Sequence, residues 1–505
     1  MASLPHVAAE ALFGTSLALH RGLVLAAALA ALAAFGLAIR RLFGSGTALL
    51  ACAALAFSFG FYSASHWVRW DGIAMLFSAL ILLALVAGPA RLLLAAGVGA
   101  LIGIAPDFAL GVAGALPGAL VLCAWERERR WERVGALLGG VAAGGLAFAL
   151  LHFTGGWSDA QQQYEIVFRP IYGEVPLFEA IGDLSLAPLL DESDRYSNMA
   201  PEPFLGSFAV IAAGALAAVL SLLSALGVGR RPLAWVGVAA LCLLSLALLA
   251  TPFPHEPLRH LTGLLIATAF GLMLALGVRA LLRPSPYPTE AVPAVMLASM
   301  LVGFGLLLGW KGPTYVVFCF PFAFGAIASA LHILAPPRLG EMVPAVGLAV
   351  IALAGAVFLA EQIRAVPDRE PALDSELAAE ANRIVPEGST VVGEWIYWWL
   401  WRDERFRFNS SIWLQQWQHP SEGFAGAFHR VCPDYVLMDD LWLARYGQLA
   451  TGRRFASQAP TRRGEKRELL RLLRREYRPV STRSAADRTL VFWERRAPGC
   501  PEPAR

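Results

Sequence analysis

Residues 22–41 have the sequence GLVLAAALAALAAFGLAIRR. Its apolar part is long enough to cross the hydrocarbon core of a bilayer. Because lipid offers the backbone no hydrogen-bond partner, a segment of this kind must be helical. Two arginines, Arg40 and Arg41, directly follow the apolar part. The same arrangement recurs along the chain and predicts a protein that crosses the membrane many times.

The composition of the 505-residue chain agrees with this prediction. Hydrophobic residues make up 57% and charged residues only 16%, and the mean hydropathy is +0.56, as is typical of membrane proteins. The formal net charge of +3 is carried by short junctions between apolar stretches and not by one basic face. The sequence therefore argues against a protein that binds nucleic acid.

About twelve apolar stretches qualify as membrane spans. They are 22–39, 46–63, 71–88, 92–105, 107–124, 134–153, 205–226, 233–251, 261–279, 290–309, 313–335 and 342–361. The stretches 92–105 and 107–124 are short and flank Pro106, so they form either two spans or one broken or re-entrant unit. The predicted fold is a polytopic α-helical membrane protein with a C-terminal extracytoplasmic α/β domain.

The arginines predict the orientation, because short cytoplasmic loops retain lysine and arginine. Basic residues fall at every second junction: Arg40 with Arg41, Arg91, 126–133, Arg230 with Arg231, Arg279 with Arg283, and Arg338. The remaining junctions are predicted to face outward: 66–71, 154–204, 251–260 and 310–312. With twelve spans, both termini face outward as well.

The sequence changes character near residue 365, which predicts a transmembrane domain, 1–364, and a soluble α/β domain, 365–505. Helical spacing over 375–384 is followed by β-type runs at 390–393 and 433–440 and by a closing strand at 490–493. Cys432 and Cys500 are the cysteines of this domain. In an oxidising compartment they either pair or remain free thiols.

Polar residues that lipid should exclude collect in three clusters on the predicted outer side. The first, His66 to Asp71, precedes the third span and contains Arg69. One interpretation is structural: Arg69 is an interfacial anchor and Asp71 caps the helix. The other is functional: Arg69 binds a phosphate at the membrane surface, since guanidinium offers two parallel donors.

The second cluster is the proline-rich turn 252–260. It presents four polar side chains: His255, Glu256, Arg259 and His260. The third is the long loop 154–204, which contains Tyr164 and Glu165; loops of this length are usually functional or disordered. For both clusters the structural alternative is a solvated connector whose charged groups have no ligand.

The tail has two further features of this kind. The stretch 395–417 is rich in tryptophan and tyrosine, which stack on sugars but also form cores and seat domains on bilayers. Asp439 and Asp440 follow a predicted strand, a common position for ligand-binding residues. No cysteine and histidine spacing typical of a structural zinc site occurs.

These features together resemble the GT-C glycosyltransferases. The resemblance rests on the segment 12–21, the Arg-x-Asp of residues 69–71, the glycine-rich stretch 99–109, the cluster 255–260 before an apolar span, and the α/β tail. More narrowly, the sequence looks like the polytopic transferases related to dolichyl-phosphate-mannose protein mannosyltransferases and to bacterial aminoarabinose lipid A transferases. The likeness covers nearly the whole chain in architecture, although each motif is short.

The resemblance implies that a sugar moves from a polyprenyl-phosphate donor to a lipid, glycan or protein acceptor at the outer face of a bacterial inner membrane. Such a displacement needs a base for the acceptor hydroxyl and cations for the departing phosphate. The implied donor-phosphate residues are Arg69, Arg259, His260 and His255. The implied sugar or acceptor residues are Asp107, Tyr164 and Glu256. Asp71 and Glu165 are the candidates for the catalytic carboxylate. The resemblance also leaves room for a divalent metal, and no residue is assigned as its ligand.

The sequence departs from the family at its start. Family members begin with a further span and a large external loop that carries an acidic motif, whereas this sequence opens at what resembles the end of that loop, with Glu10 as its acid. A truncated reading frame or a member without the catalytic loop is expected. Two alternatives to a transferase stay open: a non-catalytic GT-C homologue that acts as a scaffold, and a lipid or glycan transporter.

Overall fold

The computed structural model describes residues 12, 17–66, 71–88, 91–104, 110–125, 129–153, 205–237, 239, 255–283, 287–307, 313–336, 342–365, 379–393, 407–409, 423–439, 470–485 and 488–497. The chain divides into two compact units between Gln362 and Ile363. We call the first the membrane unit and the second the C-terminal unit.

The membrane unit is built from α-helices. They are α1 (Leu17–Ala56), α2 (Phe59–His66), α3 (Asp71–Val86), α4 (Leu92–Ile104), α5 (Leu116–Cys123), α6 (Arg130–Phe153), α7 (Leu205–Ala225), α8 (His255–Leu282), α9 (Val292–Leu307), α10 (Phe320–Leu334) and α11 (Met342–Ala365). Short 3-10 segments, Leu110–Ala115, Thr289–Ala291 and Pro313–Cys319, precede α5, α9 and α10.

Five helices in the described part of the chain are long and apolar enough to cross a membrane. They are Leu19–Ala56, Arg130–Leu150, Leu261–Leu282, Val316–Leu334 and Met342–Glu361. Further apolar helices of 10–17 residues lie between them. The chain is thus a polytopic α-helical membrane protein, and the count of twelve spans stays a prediction.

Helix α1 is a hairpin and not one long rod. At Gly44 the backbone adopts φ 85° and ψ 176°, a region that only glycine enters readily. Cys52 Sγ lies 3.7 Å from the carbonyl oxygen of Leu32, whereas residues so far apart in a straight helix would be separated by roughly 30 Å. The chain therefore reverses at Gly44, directly after Arg40 and Arg41, as the sequence predicted for the stretches 22–39 and 46–63.

Helices α4 and α6 lie side by side at a distance that only glycine permits. A Cβ added at Gly99 would lie 2.0 Å from the carbonyl oxygen of Leu137, and one at Gly103 would lie 2.2 Å from that of Val141. From Gly99 to Gly103 the contacted residue of α6 moves forward by the same four positions, from Leu137 to Val141. The two helices therefore run parallel. Small residues at this spacing let helix backbones approach closely in lipid.

This parallel pairing decides how the short stretches between residues 92 and 124 are arranged. Since α4 and α6 start at the same end, the chain between them must run back. Accordingly, α5 and its 3-10 segment lie antiparallel to α9: a Cβ added at Gly303 would lie 2.2 Å from Gly114 Cα, whereas one added at Gly118 would lie 3.2 Å from Val295 O. Between these points, Ser299 Oγ donates to the carbonyl of Gly114 at 2.6 Å and accepts from the amide of Gly118 at 2.8 Å. One broken span is therefore excluded, whereas two short spans and a re-entrant hairpin both fit.

The junctions that carry basic residues lie together at one end of the membrane unit. The contacts that join them are Tyr287 Oη to Leu85 O (3.2 Å), Arg130 Nη2 to Ala280 O (3.2 Å), Arg279 Nη1 to Ala225 O (3.3 Å), Ser329 Oγ to Glu290 O (2.5 Å) and the rings of Phe43 and His332 (5.1 Å). We call this the arginine end and the opposite one the Asp71 end. The described residues thus show the alternation of basic junctions that the sequence predicted.

The C-terminal unit contains a five-stranded mixed sheet in the order β2-β1-β3-β5-β4. The strands are β1 (Thr390–Val392), β2 (Arg407–Asn409), β3 (Tyr435–Asp439), β4 (Tyr477–Ala485) and β5 (Arg488–Arg495), and helix α12 (Gly423–Val431) precedes β3. Strand β1 pairs in parallel with β2 and β3, and β5 pairs antiparallel with β3 and β4.

The predicted strands β1, β3 and β5 are present, but β2 and β4 were not predicted. Strand β4 carries Pro479, which cannot donate to a ladder and normally argues against a strand. The structure accommodates this proline at the edge of the sheet, where the register with β5 shifts between Pro479 and Ser481. Residues 379–384, within the predicted helix 375–384, are helical.

The glycine contact yields a test with a matched control. A Cβ at Gly140 would lie 2.0 Å from the carbonyl oxygen of Ala96, whereas one at the adjacent Gly139 meets nothing within 4 Å. Gly140→Ala should destabilise the protein by about 1–3 kcal/mol through overpacking. Gly139→Ala should be neutral or slightly stabilising, because alanine favours helix. Thermal unfolding in detergent measures both, and equal losses would contradict the close contact.

Candidate functional site

Asp71 is the first residue of α3, and its side chain is buried with 2% exposed. The adjacent Gly72 is wedged between two other helices, because a Cβ there would lie 3.1 Å from Val24 O and 3.2 Å from Ala64 O. A carboxylate at this position is stabilised by the free amides and the dipole of the helix start. Its burial also strengthens its interaction with any charged group brought near it.

Helix α8 starts at the same end of the membrane unit as α3. The last turn of α8 contacts Arg130 through Ala280, and the last turn of α3 contacts Tyr287, just beyond α8 in the chain. Both helices therefore finish at the arginine end and begin at the Asp71 end. Their positive dipole ends point toward the same side of the membrane unit.

The predicted cluster His255 to His260 forms the first turns of α8. This places His255 and Glu256 among the first four residues of the helix, whose backbone amides lack intrahelical partners, and Arg259 and His260 in the next turn. Such a helix start favours phosphate and other anions. The side chains of His255, Glu256, Arg259 and His260 lie outside the described residues, as do Arg69, Asp107, Tyr164 and Glu165.

Three further buried polar residues lie in the segments that form the Asp71 end. None of them was predicted from the sequence to have a functional role. His20 is 2% exposed and lies one turn before Val24, the residue that Gly72 approaches. Ser65 is 5% exposed, one residue beyond Ala64, and Thr262 is fully buried just after His260. The available signal was weak, because a histidine at a span boundary is more often an interfacial residue than a buried one.

Together, the described residues offer a buried carboxylate, a buried imidazole and two helix starts at one end of the membrane unit. A carboxylate or an imidazole can accept a proton from a hydroxyl group. Helix starts with adjacent cations can hold a phosphate. This is the combination that a phosphate-linked group transfer requires.

In the C-terminal unit, one cluster of polar groups surrounds the buried Tyr477. Its hydroxyl donates to Pro433 O at 2.8 Å and accepts from Arg495 Nη2 at 2.8 Å. Burial raises the pKa of Tyr477 to about 12, although the hydrogen bond from Arg495 acts in the opposite direction. Arg495 Nη1 also donates to Cys432 Sγ at 2.8 Å, and Cys432 is part of a disulfide. Cys500, the other cysteine of the tail, lies outside the described residues, so its pairing with Cys432 stays open as the sequence left it.

A second polar cluster joins α12 to the segment before β4. His429 Nε2 lies 2.9 Å from Glu476 Oε2, and Arg475 donates to the same carboxylate. Burial raises the pKa of Glu476, but the hydrogen bonds from Arg475 and His429 outweigh it and hold that pKa below its usual range. The cluster therefore stabilises the ionised carboxylate, as expected for a structural link.

The two ligand-binding features predicted for the tail are only partly described. Asp439 is the last residue of β3 and pairs with Leu490, whereas Asp440 and the aromatic stretch 395–417 lie outside the described residues, apart from the strand Arg407–Asn409. Within the described ranges, no group of three or more His, Cys, Asp or Glu side chains is arranged to hold a metal ion.

No protein-family model matches the chain, and no curated protein matches it. Among solved structures, the chain is similar to ArnT from Cupriavidus metallidurans, in the crystal structure bound to undecaprenyl phosphate and in that of the apo state. In both cases the identity is 14%, the TM-score is 0.35, and the alignment covers 96% of this chain and 86% of that chain.

The Glu476 cluster predicts a pH dependence. A lowered carboxylate pKa adds stability above its ordinary value of 4.5, and this stability is lost as the pH falls through the folded-state pKa. Glu476→Gln should lower the free energy of unfolding of the C-terminal unit at neutral pH by roughly 1 kcal/mol. It should also reduce the further decrease of that free energy as the pH falls. The exposed Glu387→Gln is the control. Proteolytic susceptibility in urea, near neutral pH and near about pH 4, measures both; an unchanged profile for Glu476→Gln would refute the link.

Proposed function

We propose that this protein is a GT-C membrane glycosyltransferase that moves a sugar from a polyprenyl-phosphate donor to a lipid, glycan or protein acceptor. The reaction takes place at the Asp71 end, which faces away from the cytoplasm. The observation that carries the proposal is the joint placement of two helix starts at this end. One begins with the buried Asp71 and the other with the basic cluster His255 to His260.

In this mechanism, the cations neutralise the phosphate as the glycosidic bond to it breaks. Arg69, Arg259, His260 and His255 hold the donor phosphate, and the start of α8 adds its free amides. Asp71 or Glu165 accepts the proton of the acceptor hydroxyl as the new bond forms at the sugar carbon. Asp107, Tyr164 and Glu256 orient the sugar or the acceptor. No step of this mechanism is assigned to a metal ion.

Two features support an extracytoplasmic location of the Asp71 end. Basic junctions gather at the opposite end, which by the positive-inside rule faces the cytoplasm. Helix α11 runs toward the Asp71 end, since the rings of Phe358 and Phe59 pack at 6.4 Å and Ala365 follows two turns later. The chain thus leaves the membrane unit on the outer side, and the disulfide at Cys432 fits the oxidising compartment found there.

The distribution of buried charge favours a transferase over a transporter. Among the described side chains of the membrane unit, the buried charged residues are Asp71 and Arg133. Both lie in the first turn of a helix, at an end of the unit. Transporters instead place ionisable groups near the bilayer midplane, where ions and substrates cross. A scaffold without activity is distinguished by the transfer assay below.

Donor binding is the first test. Purified protein in detergent is titrated with undecaprenyl phosphate, and the complex is counted by native mass spectrometry. Arg69→Gln and Arg259→Gln should each weaken binding by about tenfold, the loss expected when a hydrogen bond to a charged group is removed. Arg230→Gln, which removes an exposed arginine at the opposite end, is the control. Equal affinities for all three variants would refute the phosphate assignment.

Transfer is the second test. Protein in proteoliposomes is given radiolabelled polyprenyl-phosphate sugars with lipid A as acceptor, under single-turnover conditions. Asp71→Asn should slow transfer by roughly a hundredfold or more with donor binding unchanged, because asparagine still caps a helix but cannot take a proton. Unimpaired transfer would move the base to Glu165. Donor binding without transfer of any sugar to any acceptor would favour the scaffold.

A further inference from the structure

A groove of about 500 Å³ lies at the arginine end, on the side of the membrane unit opposite to the proposed reaction. It is lined by Arg91 and Arg129 and, between them, by the leucines 92–94. The two arginines come from separate parts of the chain, directly before α4 and α6. The groove is therefore a product of the close pairing of these two helices.

The charged residues that line this groove are both positive. Because α4 and α6 are parallel, their N-termini lie next to each other, and their dipoles add instead of cancelling. Arg91 and Arg129 add two full charges at the same place. The exposed Glu132 approaches Arg129 Nε at 4.0 Å, and a surface pair of this kind is easily displaced.

The arginines of this end fall into two groups. Arg130 and Arg279 donate to carbonyl oxygens in the last turns of α8 and α7, so they serve as helix caps. Arg91 and Arg129 instead line the groove. Arg129 does so from a backbone with φ 56°, which glycine would adopt at lower cost.

The rest of the groove is suited to hydrocarbon. Leu93 is 87% exposed and Leu92 37% exposed, and the nearby Trp131 is 77% exposed. Exposed leucines on a membrane helix face acyl chains, and tryptophan prefers the level of the lipid headgroups. The groove thus has cationic residues at one end and an apolar wall beside them. A phospholipid has the matching arrangement, with its phosphate at one end and its acyl chains next to it.

We propose that this groove is a binding site for one anionic phospholipid of the surrounding bilayer. The phosphate lies between the guanidinium groups of Arg91 and Arg129, and an acyl chain runs along Leu93. A net negative headgroup is favoured over a zwitterionic one, because the choline of phosphatidylcholine would enter the same positive field. The site is separate from the donor site and does not depend on the proposed transferase activity.

The test titrates delipidated full-length protein in detergent with phosphatidylglycerol or phosphatidylcholine and counts the complexes by native mass spectrometry. Arg91→Gln combined with Arg129→Gln should weaken phosphatidylglycerol binding by about tenfold or more, since a hydrogen bond to a charged group is lost at each position. Arg40→Gln combined with Arg41→Gln removes the same charge from exposed positions at the same end and is the matched control.

A further variant separates binding from folding. Arg129→Gly removes the guanidinium but relieves the backbone, so it should unfold at an equal or higher temperature than the native protein and still bind phosphatidylglycerol more weakly. The proposal is overturned if the control pair loses as much affinity as the groove pair, or if phosphatidylcholine binds as well as phosphatidylglycerol. It is also overturned if undecaprenyl phosphate, and not phosphatidylglycerol, depends on Arg91 and Arg129.

Discussion

The close approach of α4 and α6 is the contact on which the arrangement of the membrane unit depends. Without a hydrophobic driving force between helices in lipid, two helices associate through van der Waals contact and backbone proximity. The glycines at 99, 103, 140 and 144 bring each backbone against the other. Because the pairing is parallel, it fixes the direction of α5 between them.

The two ends of the membrane unit differ in chemistry as a result. At the arginine end, guanidinium groups meet helix C-termini and neutralise the negative ends of α7 and α8. The Asp71 end holds helix starts together with buried polar side chains, among them His20 and Asp71. One end is thereby suited to contact with a charged bilayer surface. The other combines helix starts, which favour anions, with a buried carboxylate and a buried imidazole.

The sequence predicted the features that depend on local pattern. Apolar stretches placed the helices, arginines placed their ends, and alternating or continuous apolar runs placed β1, β3 and β5. What it missed depends on contacts between distant residues. The parallel direction of α4 and α6 follows from a register that no local pattern contains. Strand β4 forms around Pro479 because β5 offers it an edge, and the burial of His20 depends on packing among α1, α2 and α3. Asp71 was singled out from sequence because it stands with Arg69 in a polar cluster at the start of a span, but the residues that surround it could not be inferred from that cluster.

The reversal at Gly44 has a consequence for how the protein is made. The two arms of α1 are joined through a single glycine, with Arg40 and Arg41 just before it. No long polar loop separates the two arms. Such a short connection favours insertion of the two arms as one hairpin, in which the arginine pair stays at the membrane surface where the hairpin turns.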